Sequence, residues 1–166
     1  VKIPADGIVR IVRKIDNPKE PAKPIIETLA QATVAENIQQ ALVILIPVPK
    51  HPSGHRFQAR VLDLAGFKGG DYLYLNLTTL TVAVEMGATK LEIKPGERKM
   101  YECPKLTGPT NVAIRYSFFH PKLEEWQMLS ASTVVLRDTR REICIFNWDA
   151  QYERMDYVGI TFPVTP

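Results

Sequence analysis

His51 and His55 lie four residues apart, the spacing that puts two imidazoles on one face of a helix and lets them share a metal ion. Pro52 and Gly54 stand between them and break the helix this geometry needs, and no Glu or Cys adjoins the pair, so exposed loop histidines are the better account. His120, just before Pro121, reads as a turn residue. Acyl transfer would need a nucleophile beside a base, yet Ser53, Ser117, Ser130 and Ser132 all fall outside a G-x-S-x-G elbow. Paired carboxylates for glycoside hydrolysis can be drawn from Asp63, Asp71, Glu124, Glu125 and Asp149 in so many combinations that no pair stands out. Acids at turns are normally solvated. The run Gly66-Phe67-Lys68-Gly69-Gly70 lacks the Gly-Lys-Ser/Thr ending and the helix of a phosphate loop. The reading is of a protein that is not an enzyme, with no metal and no cofactor.

Stacking is the chemistry left. Tyr72 and Tyr74 alternate with Leu73, Leu75 and Leu77, so a leucine face turned to the core leaves the tyrosines outward. Together with Trp126 and Trp148 they are the candidate contacts for a ligand or partner, because aromatic side chains give area at little entropic cost. Cys103 and Cys144 have no Cys-x-x-Cys neighbour and no nearby histidine, which argues against zinc. Two readings stay open for them: buried free thiols, or a disulfide between strands in an oxidising compartment.

The elements that must position these residues are strands. From Gly69 to Glu97 three short runs alternate apolar and polar residues with a period of two, Gly87-Ala88 and Lys94-Pro95-Gly96-Glu97 supplying the turns. Phe57 to Val61, Lys99 to Cys103, Val112 to Phe119, Glu125 to Leu136, Glu142 to Trp148 and Tyr157 to Phe162 read the same way. Short strands at roughly ten-residue spacing point to a sandwich or barrel. Ile8 to Arg13 alternates as a further strand, and three prolines in the seven residues from Pro18 to Pro24 exclude regular structure after it. Residues 1–24 are therefore expected as an N-terminal strand and linker, and residues 25–166 as a single β-sandwich domain. Ile25 to Gln40 carries Ile25, Ile26, Leu29 and Ala32 at helical spacing after Pro24, a minor α element whose β-branched residues leave an extended alternative.

A chain of 166 residues with 45% apolar and 23% charged content is ordinary for one globular domain. Its net charge of +3 comes from 21 basic and 18 acidic residues that are interspersed rather than gathered on one face, which argues against nucleic acid as a partner. The longest apolar run, Ala41 to Pro49, is nine residues, far short of the roughly 20 of a spanning helix, so no transmembrane span is expected. A start at Val1 rather than Met suggests a trimmed form from which a signal segment has been removed.

Gly70-Asp71-Tyr72, Asn76-Leu77, Val82, Gly87, Leu91 and Lys94-Pro95-Gly96, with the strand–turn–strand that ends near Phe146, resemble a family of small secreted β-sandwich proteins of Verrucomicrobia type, immunoglobulin-like and pilus-associated. The likeness covers about Gly69 to Phe162. It implies an all-β, immunoglobulin-like antiparallel β-sandwich that is secreted, periplasmic or associated with the outer membrane, and it carries no catalytic or binding residues over. The Cys…Trp…Cys pattern of immunoglobulin cores is not met, since Trp126 lies nearer Cys144 than Cys103. The function expected is protein–protein contact in a cell-envelope assembly, pilus-like or secretion-associated, with self-association through the N-terminal strand as one form of it. The alternative is a carbohydrate-binding module that stacks a glycan on the exposed aromatics.

Overall fold

A computed structural model of the chain describes residues 3–48, 54–149 and 151–164. The described residues are all-β, 60% strand and without helix. Contacts divide it into two compact units, Val1–Gly66 and Phe67–Pro166.

The first unit holds β1 (Ile8–Ile15), β2 (Ile25–Thr33), β3 (Ala41–Pro47) and β4 (Phe57–Asp63), paired as two antiparallel hairpins, β1 with β2 and β3 with β4. The helix considered for residues 25–40 does not form. Ala30, Ala32 and Val34 are buried at a period of two, and β2 pairs with β1 along its whole length, so pairing outweighs the weak helical spacing of Ile25, Ile26 and Leu29. The proline-rich stretch after Ile15 is the connection of this hairpin rather than a linker to a separate domain. Asn17 holds it closed, its Nδ2 donating to the Lys23 carbonyl and its Oδ1 accepting from the Lys19 N–H. The division of the chain falls at Gly66, not at Pro24.

The second unit is a sandwich of two four-stranded sheets. Its strands are β5 (Tyr72–Asn76), β6 (Val82–Met86), β7 (Thr89–Ile93), β8 (Arg98–Tyr101), β9 (Thr110–His120), β10 (Glu125–Leu136), β11 (Arg140–Asp149) and β12 (Arg154–Pro163). One sheet runs β10-β9-β6-β7 and the other β12-β11-β5-β8. All pairs are antiparallel except β5 with β11, which is parallel. The first two strands of the unit lie in opposite sheets, whereas the constant-type immunoglobulin order sets them side by side. The Gly87 and Gly96 turns form where the sequence places them, both with positive φ, 57° and 76°.

Tyr72 and Tyr74 are buried, at 4% and 0% exposure, which overturns their assignment to the outer face. β5 is an internal strand between β11 and β8, and all five of its residues are buried. Alternation sorts side chains into two faces but does not say which face meets the core when both are covered. The tyrosines meet it. Tyr74 stacks on Phe146 at 6.2 Å and meets Tyr116 of the other sheet edge-on at 6.0 Å, with Val82, Val84, Met86, Ile93 and Ile114 completing the layer between the sheets.

Two glycines let β5 enter this core. A Cβ on Gly69 would stand 1.6 Å from the Asp138 carbonyl oxygen, and Gly70 has φ +87° while its N–H reaches the Arg140 carbonyl at 2.7 Å. Asp71 then accepts the Lys68 and Cys103 N–H groups, each at 2.8 Å, fixing the loops on both sides of the strand.

Asn76 ends β5 with no exposed surface. Its Nδ2 donates to the carbonyls of Leu80 and Ile93 at 2.7 and 2.9 Å, and its Oδ1 accepts from the Thr78 N–H and hydroxyl at 3.0 and 2.8 Å. Backbone bonds from Asn76 N–H to Glu97 and from Gly96 N–H to Asn76 complete the set. The amide thus stitches the crossing from one sheet to the other. Asn76→Ala removes all four side-chain bonds: the Ile93 carbonyl and the Thr78 N–H lose this partner, at about 1–3 kcal/mol each, while the Thr78 hydroxyl and the Leu80 carbonyl keep each other at 3.1 Å. The expected loss of stability is about 3 kcal/mol or more by urea unfolding, and a loss under about 1 kcal/mol would show that the network carries little.

Candidate functional site

The end of the second unit where the β9–β10 and β11–β12 hairpins turn encloses a cleft of about 700 Å³. Leu77 to Leu80, the crossing from β5 to β6, contributes one wall; Phe118 and His120 end β9, and Gln127 to Leu129 begin β10. Trp148 near the end of β11 stands opposite Met155 of β12 in register, and both line the cleft. Its size and its apolar lining, with a few polar groups, are those of a small-ligand or side-chain pocket.

Local geometry explains how these side chains arrive. Glu124 (φ 53°) and Glu153 (φ 49°) take left-handed backbone at the two hairpin turns, each one residue before the strand whose first residues face the cleft. Asp149 Oδ1 accepts the N–H groups of Gln151 and Tyr152 and fixes the second turn. His120 Nδ1 accepts the Leu123 N–H at 3.3 Å, and the Glu124 N–H donates to the His120 carbonyl at 2.9 Å, which fixes the first. The Arg154 guanidinium lies over the Tyr152 ring at 5.1 Å. Ser130 Oγ and Tyr157 Oη, 3.2 Å apart, join β10 to β12, the terminal strands of the two sheets.

Of the four aromatic candidates, Trp148 alone is in the cleft, and it is 49% exposed. Trp126 is exposed on β10 but packs edge-on against Phe119 at 5.7 Å, outside the cleft. Tyr72 and Tyr74 are core. His51 lies outside the described residues. Among the described residues no three of His, Cys, Asp and Glu converge as a metal site would require. Of the five acids that carbohydrate chemistry could draw on, three are separately occupied: Asp71 by two backbone N–H groups, Asp149 by its own turn, Asp63 by the Ala65 N–H. Phe118, Met128, Met155 and Arg154 were not singled out from the sequence. Trp148 and the turn signal at His120-Pro121 were what pointed toward their end of the sandwich.

Cys103 and Cys144 are free thiols, so no bridge joins β11 to the loop after β8. Cys144 pairs in register with Tyr74 and sits in the aromatic core, where burial pushes its thiol up to about 12. Tyr72 is also pushed up to about 12, by burial first and then by the charge of Glu142. Burial likewise raises Tyr74 and Tyr116, helped by Cys144. Burial, then Asp71, raises the half-buried Cys103.

The core accepts these groups only when neutral. Unfolded, Cys144 ionises near 9 and Tyr72 near 10, whereas folded both hold their protons to about 12. Their contribution is complete below pH 9 and is lost as pH rises toward 12. The urea midpoint should therefore hold steady from pH 6 to about 8.5 and fall steadily above about pH 9. A midpoint that rose over that window would contradict the burial of the cluster. Ellman's reagent at pH 8 should label Cys103 and spare Cys144 until urea is added.

Set against family models, curated proteins and solved structures, the chain matches none, and its function is read from the geometry of the cleft.

Proposed function

We propose that this chain is a non-enzymatic binding protein that docks a partner protein at the hairpin end of its second unit. The observation that carries this is Trp148, half-exposed on the wall of a largely apolar cleft whose backbone is set by two antiparallel hairpins. A large aromatic held on a rigid frame loses little entropy on contact, which is why such residues dominate binding energy at interfaces. Leu123 and Tyr152, 55% and 61% exposed, lie on the same two hairpins and extend the apolar surface beyond the cleft from Met128, 67% exposed on its wall. The exported, cell-envelope setting that the family likeness implies belongs to the same proposal.

A carbohydrate-binding module is the second reading, favoured by the same Trp148 face beside Gln127, Glu153 and Arg154, a stacking ring with polar groups around it. Peptide display against the chain and a glycan array separate the two. Selected peptides should lose at least about tenfold in affinity on Trp148→Ala and little on Trp126→Ala, with the stability of both variants within about 1 kcal/mol of the parent because both rings are exposed. Saccharide binding abolished by Trp148→Ala would assign the cleft to glycans. Ligands insensitive to Trp148→Ala would remove it from the site.

A further inference from the structure

We propose that the cleft takes an extended peptide segment that sets an apolar side chain beside a carboxylate; this rests on the reading of the cleft as a partner-binding site. Charge is the first ground. Lys122 and Arg154 line it against one carboxylate, Glu153, and neither cation is in an ion pair among the described residues. Arg154 is held over Tyr152 through its guanidinium face, which leaves the in-plane N–H fork for an acceptor. His120 already accepts through Nδ1, so its remaining nitrogen offers a donor. The polar groups thus mostly donate, and a carboxylate satisfies them.

The apolar part follows from Phe118, Met128, Met155 and Trp148, with methionines able to fit side chains of differing shape. The backbone points to a peptide rather than a free amphiphile. The cleft lies where the two sheets present their terminal strands, and it is lined by residues 127–129 of β10 and 154–155 of β12. Among the described residues each of these strands is paired on one side only, so its outer edge is where an added chain would find N–H and C=O groups to pair with. The β9–β10 register shifts between Met128 and Ser130, so Leu129, on the cleft, has no partner in the β9 ladder. An extended segment can use main-chain bonds there, which a fatty acid cannot.

The test is an array of nine-residue peptides in three matched sets, Leu/Phe with Glu, the same with Gln, and the same with Lys, probed with the full chain. The strongest members are then measured in solution by fluorescence anisotropy. Glu peptides should bind at least about tenfold more tightly than their Gln counterparts, a single charge-assisted contact being strong enough for that. In the Lys122→Gln, Arg154→Gln double variant the two sets should come within about twofold, while Trp148→Ala weakens both sets together. Equal binding of the Glu and Gln sets, or preference for Lys, overturns the inference and leaves the cleft as a binding site. Dodecanoate that binds where no peptide does makes the occupant a free amphiphile and overturns it too. Silence of all three sets and of dodecanoate would take the binding-site reading down with the inference.

Discussion

The second unit turns on one buried amide. At Asn76 the chain leaves the sheet of β5 and crosses to that of β6, and a crossing of this kind carries backbone groups out of both ladders into a place without water. Asn is suited to it because one short side chain offers two donors and an acceptor that takes two bonds. Here all are used, on Leu80, Ile93 and Thr78. Asp would bring a charge and no donors, and Leu would fill the space while taking its bond from the Ile93 carbonyl and the Thr78 N–H. With the crossing fixed, the first strand of the unit can be interior to one sheet while its successor is interior to the other.

The same bonds reach the cleft. Thr78 and Leu80, both tied to the Asn76 side chain, also line it, so its innermost wall is held by the most completely satisfied polar group of the core. The opposing walls hang on the β9–β10 and β11–β12 hairpins, joined below by the Ser130–Tyr157 hydrogen bond. Rigid walls and exposed, adaptable Met and Trp side chains are the combination that lets binding surface be presented without a large ordering cost.

Strands and turns were legible because period-two alternation and glycine turns are local signals. Gly87 and Gly96 turn as read, and the all-β sandwich is present. The orientation of β5 was not legible, because Leu73 and Leu75 on one face and Tyr72 and Tyr74 on the other are all buried, and hydrophobicity ranks leucine first where ring packing with Phe146 and Tyr116 decides. The helix suggested at Ile25 failed for a related reason: its strand partner, Ile8–Ile15, lies across a proline-rich connection that masks the pairing. Trp148 and Trp126 could not be told apart either. Both are exposed, and what separates them is that Trp126 has Phe119 across the ladder while Trp148 faces the cleft.

The two units also differ in what holds them. Among the described residues of the first, the buried apolar side chains are Ala30, Ala32, Val34 and Leu62, none aromatic, whereas Val12, Ile15, Ile25 and Ile26 of its long hairpin stay exposed. Two-stranded sheets are marginal alone. Polar ties therefore carry more of the burden: between the hairpins the Arg56 N–H donates to the Leu29 carbonyl at 3.0 Å and Arg56 meets Glu27 at 3.6 Å, and within the long hairpin Glu27 meets Arg13 at 2.5 Å. Exposed ion pairs of this kind contribute little each and are screened by salt. The second unit instead stacks Tyr74, Tyr116, Phe146 and Tyr157 between its sheets, a core that salt does not screen and whose phenols and thiol must stay neutral. A binding surface needs a frame that does not open under ordinary fluctuation, and local opening falls first on the unit with the thinner core. The cleft is built on the other one.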